Sequence, residues 1–263
     1  MLLAHTTWKE AREVAAGNVV FLAPLGSLEQ HGPHLPLLTD TALVDAVAAR
    51  VEQQAPDRIL LLPTLWLGHS PHHRRLGCVS LDLFPYIEML RGVCRSLVAL
   101  GARKILLLSG HGGNEVPAKG ALRELKSELA DRRDVYIAYA NYWSLAARAI
   151  ADIRTSPPGG LGHAGELETS LMLALHAPLV RLKDAAADGP FDAGPWRLAD
   201  MQHSQPYYIV NEFDEISRTG TVGMPEHASR EKGEALLAAI VDGVKAFIDE
   251  LQTWRYQEDS GSC

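Results

Sequence analysis

Four segments of the chain concentrate the side chains that can do chemistry. SLEQHGPHLPLLTD, residues 27–40, holds Glu29, His31, His34 and Asp40. LGHSPHHRR sets Ser70 among His69, His72 and His73, and SGHGGNE sets His111 ahead of Gly112, Gly113 and Asn114. GHAGELETS adds His163, Glu166 and Glu168. Imidazole nitrogen with carboxylate oxygen suits zinc, manganese or iron, and with no cysteine beside them these residues point to a catalytic rather than a structural site. Two carboxylates with two or more histidines can also hold two ions, one carboxylate bridging. Each residue has a local alternative: Asp40 as a helix N-cap, Glu166 and Glu168 as first-turn acids favoured by the helix dipole. His176 and His203 stand in no cluster and read as structural or surface residues. Ser70 lacks the second glycine of a G-x-S-x-G elbow, which argues against a serine hydrolase, and no G-K-[ST] follows Gly112-Gly113, which excludes a phosphate loop.

The elements that must position these residues alternate between apolar strand runs and helical patterns. NVVFLA from Asn18, RILLLP from Arg58, KILLLS from Lys104 and VYIAYA from Val135 read as strands. Helices are expected from Asp40 onward, over Pro85 to Leu100, over Pro117 to Leu129, and from about Ser229 to Leu251. Apolar strands buried on both faces and separated by helices predict a layered α/β fold with a mostly parallel central sheet. Ligands bind such folds at the C-terminal ends of the strands. Glu29 and His31 follow the first strand, the His69–His73 group the second and His111 the third, so the clusters converge on one end. Residues 184–227, rich in Asp, Gly and Pro, are expected to run over the surface or the site rather than to form a second domain. Residues 1–253 are then one domain, and 254–263 a disordered tail.

Composition narrows the partners. The 263 residues are 47% hydrophobic, enough for a large core. A net charge of −7 without a basic block makes nucleic acid and anionic membranes poor partners. Cys78, Cys94 and Cys263 form no C-x-x-C pair and no disulfide framework, which fits a reducing cytoplasm. The N-terminus has no signal-peptide pattern, and no apolar run approaches the ~20 residues of a membrane span.

PLGSLEQHGPHLPLLTD, LSGHGGN and GHAGELETS resemble the creatininase (creatinine amidohydrolase) family, and GHSPHHRRLGCVSL is similar to its G-x-S-x-x-H segment. The resemblance implies a creatininase-like three-layer α/β sandwich, two divalent metal ions per subunit, hydrolysis of C–N bonds in cyclic or linear amides, and a homohexamer. By motif it implies that Glu29, Asp40 and His111 hold one ion, and that His31 and Glu168 hold the second with Asp40 as the bridge. It further implies proton transfer by His163 and substrate contacts from Ser70, His73, Gly112, Gly113 and Asn114. Creatininase itself has H-Y-E-N where this chain has His111-Gly112-Gly113-Asn114. The H-G-G-N form is similar to relatives that deformylate a pyrimidine intermediate, process a redox-cofactor peptide or open an oxidised cyclitol ring. A small-molecule amide or formamide is the expected substrate. A C–C bond-opening or peptidase-like activity is the alternative.

Overall fold

A computed structural model describes residues 1–189, 196, 199–203 and 206–255. Its centre is a parallel sheet in the order β3-β1-β5-β6, with β1 at Val20–Leu25, β3 at Ile59–Leu61, β5 at Lys104–Ser109 and β6 at Tyr136–Asn141. β1 and β5 run in register from Phe21 opposite Ile105 to Leu25 opposite Ser109. Every residue of both strands is buried, and the runs VFLAPL of β1 and ILLL within β5 are continuously apolar rather than alternating. A short antiparallel pair, β2 (Leu28–Glu29) and β4 (Cys78–Val79), lies beyond the end of β1.

Helices cover both faces. Val20 and Leu22 of β1 join Leu106 and Leu108 of β5 against α2 (Thr39–Gln54), α5 (Tyr142–Leu145), α6 (Ala147–Ile153), α7 (Glu166–His176) and α9 (Arg230–Thr253). Phe21, Ala23 and Leu25 join Ile105 and Leu107 against α1 (Trp8–Ala15), α3 (Leu83–Leu100) and α4 (Glu115–Glu128). The three-layer α/β expectation therefore describes the protein. Each fully buried aliphatic side chain in these layers contributes about 1.5–3 kcal/mol over leaving it in water.

Element boundaries differ from the expected ones for local reasons. α3 and α4 begin at Leu83 and Glu115, so Pro85 and Pro117 are third residues of their helices rather than first. The first turn donates no intrahelical hydrogen bond, so a proline fits there as well as at the first position. α9 is capped by Ser229, whose side chain accepts from the Lys232 N–H at 3.2 Å, and runs to Thr253. Within 184–227 the described residues include α8 (Phe213–Ile216). The expected tail falls at 256–263 outside the described residues, whereas Trp254 is placed against Tyr136 and Phe247.

From β1 the chain crosses to β3 through α2, then returns through α3 to β5 on the other side of β1. The connections leaving β1 and β5 thus diverge and leave a crevice at their C-terminal ends. Glycine closes the distance to α2 there. A Cβ on Gly26 would lie 2.2 Å from Thr41 Oγ1, and one on Gly110 would lie 2.7 Å from the Asp40 carbonyl oxygen. The first turn of α2, with Asp40 in it, therefore rests directly on the strand ends.

Candidate metal centre

Five buried side chains meet in the crevice: Glu29 at the end of β2, His31 just after it, Asp40 in α2, His111 after β5 and Glu168 in the first turn of α7. The two oxygens of Asp40 face different groups. Oδ2 lies 3.2 Å from His111 Nδ1, which is also 3.2 Å from Glu29 Oε1. Oδ1 lies 3.0 Å from His31 Nε2, and Glu168 Oε1 stands 3.9 Å from that same nitrogen. Asp40 is the second residue of α2 and not its N-cap, which is Leu38 without a side-chain cap.

Outer contacts aim these groups inward. His31 Nδ1 is turned to the Glu29 carbonyl oxygen at 3.1 Å, and His111 Nε2 to Ser70 Oγ and the His69 carbonyl oxygen, both at 3.1 Å. Glu168 Oε2 accepts from the Ala164 N–H at 2.6 Å, leaving Oε1 for the centre. Ala164 reaches that position with φ of 55°, a left-handed conformation uncommon for a residue with a Cβ. Partners that fix the far side of each ligand are what metal centres require.

The donor set fits divalent cations. Glu29 Oε1 and Asp40 Oδ2 are buried and accept no hydrogen bond, although an imidazole nitrogen stands 3.2 Å from each. Close approach without donor–acceptor alignment is the disposition of ligands around a common ion, and a buried carboxylate oxygen left without any partner is costly. Glu29, His31 and Asp40 can each turn one ligand atom to a common point, as can His31, His163 and Glu168.

Protonation in the metal-free chain follows the same crowding. Burial works against a charged His31, but Asp40, Glu168 and Glu29 outweigh it and push it up to about 10. Burial likewise opposes a charged His111, and Glu29 and Asp40 raise it well above the usual value. Burial and the neighbouring carboxylates lift Glu168 to about 7, despite His31. Burial opposes the charge of Glu29, yet His111 and His73 hold it well below the carboxylate range. Burial keeps the surrounding imidazoles neutral, lowering His72 to about 4, His73 to about 3 and His163 well below its ordinary value.

A cavity of about 280 Å³ opens over the cluster. His73, His163, Gly112 and Gly113 are on its wall, as their sequence positions suggest. Ser70 and Asn114 are not. Ser70 Oγ contacts Ser27 Oγ and His111, and so orients the His111 ring. Asn114 donates to the Gly26 carbonyl oxygen at 3.0 Å and accepts from the His69 N–H at 3.0 Å, which ties three strand-end loops together. Both residues, expected to contact substrate, are wholly buried and make scaffold contacts behind the cavity wall. Glu166 also turns away, pairing with Lys232 at 2.7 Å and accepting from the Ser156 N–H at 2.9 Å. His34 contacts Thr169 Oγ1 at 3.0 Å, outside the cavity.

Other wall residues are His72, from the LGHSPHHRR segment, and Trp143, Met201 and Phe213, which carry no motif. Phe213 stacks on His73 with ring centroids 4.2 Å apart and meets His163 edge-on at 4.7 Å. Its only signal in the sequence is an aromatic residue within the long irregular stretch.

The creatinine amidohydrolase family model matches residues 4–248. Creatinine amidohydrolase of Pseudomonas putida is 34% identical over 268 residues, covering 95% of this chain and 96% of that protein. The mycofactocin precursor peptide peptidase of Mycobacterium ulcerans (strain Agy99) is 33% identical over 229 residues, covering 84% and 81%. A crystal structure of creatinine amidohydrolase (creatininase) superposes with a TM-score of 0.81 at 29% identity, covering 97% of this chain and 98% of that one. The chain belongs to the creatininase family of metal-dependent amidohydrolases.

Proposed function

We propose that this chain binds two divalent metal ions and hydrolyses a C–N bond of a small cyclic amide or formamide. The observation that carries the reading is the divided carboxylate of Asp40, one oxygen toward Glu29 and His111 and the other toward His31 and Glu168. Glu29, Asp40 and His111 hold one ion; His31, Asp40 and Glu168 hold the other. Solved creatininases of similar fold in manganese and Zn–Zn forms support metals of this kind, and one complexed with creatine supports a small substrate. Bound there, divalent ions acidify water and polarise a carbonyl under attack. His163, on the cavity wall, takes the proton released by the attacking water and passes it to the departing nitrogen, a task suited to an imidazole. The backbone N–H groups of Gly112 and Gly113 face the developing oxyanion, since glycine lets the main chain approach closely. Trp143 and Phe213 shield the site from water on the apolar side.

The test is elemental analysis after reconstitution with zinc or manganese, followed by a screen of cyclic amides, formamides, short peptides and cyclitol ketones. About two ions per chain and release of an amine from an amide are expected. A protein that takes up no metal overturns the reading, and turnover confined to peptides or cyclitol ketones overturns its substrate class. The family resemblance extends the proposal to a homohexamer, and a monomer by light scattering contradicts that part.

A further inference from the structure

We propose that Gln30 is a positioning residue that fixes the tautomers of His73 and His163, turning the N–H edge of one toward Glu29 and freeing a ring nitrogen of the other. Gln30 lies between the proposed ligands Glu29 and His31 and is buried. Its amide orientation is set by the main chain, because the Gly32 N–H donates to Gln30 Oε1 at 2.9 Å. Gln30 Nε2, which can only donate, then lies 2.9 Å from His73 Nδ1. His73 Nδ1 must accept, so the proton of the neutral ring sits on Nε2. That nitrogen is 3.2 Å from Glu29 Oε1, to which it presents an N–H and not a lone pair.

The same residue settles His163 through its backbone. His163 Nε2 lies 2.6 Å from the Gln30 carbonyl oxygen, which only accepts, and 3.2 Å from Gln30 Nε2, which only donates; the shorter contact decides, so Nε2 carries the proton. Nδ1 is left with its lone pair, 3.7 Å from Glu29 Oε1 and beside the centre. One residue therefore determines which atom of His163 can take up a proton. Two glycines hold Gln30 in place. Gly32 has φ of +64° and its Cβ would meet Thr221 Oγ1 at 2.1 Å. Gly220 has φ of +83° and its Cβ would meet Gln30 Oε1 at 1.9 Å. A side chain at Gly220 would strike the amide itself, and one at Gly32 would strike Thr221 beside the N–H that holds it.

The tautomers stand on hydrogen bonds alone; only their consequence for metal affinity rests on the proposed function. Long-range ¹H–¹⁵N correlation on metal-free protein labelled at histidine reads them directly, with His73→Gln and His163→Gln spectra for assignment. Both rings are expected as Nε2–H tautomers. Gln30→Glu, close to isosteric, is expected to place a proton on His73 Nδ1, and Gln30→Met to remove the tautomer preference of His73. Both variants are expected to weaken zinc binding by about 10- to 100-fold, the usual effect of losing an outer partner. An Nδ1–H tautomer for either histidine in the unsubstituted protein overturns the inference even if no variant folds. So does Gln30→Glu with an unchanged His73 spectrum. Absence of zinc binding beside the expected tautomers refutes the proposed function and leaves the assignment of Gln30 intact.

Discussion

The two ends of the parallel sheet both carry cavities rich in charge, and the contrast between them shows what marks the site. At the N-terminal end a cavity of about 420 Å³ is lined by Arg103, Lys104, Arg255, Tyr136 and Trp254. It is larger than the one at the C-terminal end, at about 280 Å³. Yet its buried cation is satisfied: the Lys104 ammonium donates to Asn18 Oδ1 at 2.9 Å and to the Gln252 carbonyl oxygen near the end of α9. Arg255 donates to that carbonyl oxygen as well, at 2.6 Å. These groups close off a helix C-terminus, where positive charge is favoured. At the other end, Glu29 Oε1 and Asp40 Oδ2 are buried with imidazole nitrogens at 3.2 Å but no aligned hydrogen bond. Unmet electrostatic demand, more than volume, separates a site from a well-finished surface.

The largest effect that would break or sharpen this contrast is expected from Asp40→Ala. It should lose both ions and roughly 10³-fold or more of activity, given the several kcal/mol of charge stabilisation that bound metals supply. Glu29→Ala should lose mainly one ion, and elemental analysis showing equal single-ion losses from both variants would refute the bridge. His163→Ala comes next. It should keep its metal while single-turnover rates fall by roughly 10² to 10⁴, the worth of a placed general acid. A rate within about threefold of the parent would remove His163 from the chemistry.

A smaller effect concerns pH. In the metal-free chain His31 is raised from 6.5 to about 10, so the stability it contributes is complete below pH 6.5 and lost as pH rises toward 10. The melting temperature of metal-free protein should fall over that window. Zinc-loaded protein should not show this fall, because a coordinating His31 has already given up its proton. Parallel melting curves for the two forms would contradict the placement of His31. The smallest effect is expected at the opposite end of the sheet. Lys104→Met should cost about 1 kcal/mol in denaturant unfolding, the size of a net hydrogen bond, with metal content unchanged. Loss of metal would show that the two ends communicate.

The sheet was legible because β1 and β5 are apolar on both faces, and the meeting of Glu29, His31 and His111 because they follow strands whose ends must converge. The helix starts were less so, since Pro85 and Pro117 are compatible with more than one position in a first turn. Within the motifs, residue type did not reveal direction. His34 sits three residues from His31 but faces Thr169, and Glu166 sits two residues from Glu168 but faces Lys232. Each partner is more than 60 residues away in sequence, so only the packing of α7 against its neighbours decides the direction. Phe213 was illegible for the same reason: nothing periodic in its segment foretells its stacking on His73.

The glycine pair after His111 limits how this enzyme could be remodelled. A Cβ on Gly112 meets nothing within 4 Å, so a tyrosine as in H-Y-E-N finds room to start there. A Cβ on Gly113 would lie 2.3 Å from His111 Nε2 and 2.5 Å from the His69 carbonyl oxygen, a backbone atom that cannot swing aside. Installing glutamate at that position would first require rebuilding the loop that carries His69 and His72. Conversion toward a creatinine-type loop is therefore not a path of single substitutions, because one of its steps passes through a displaced His111.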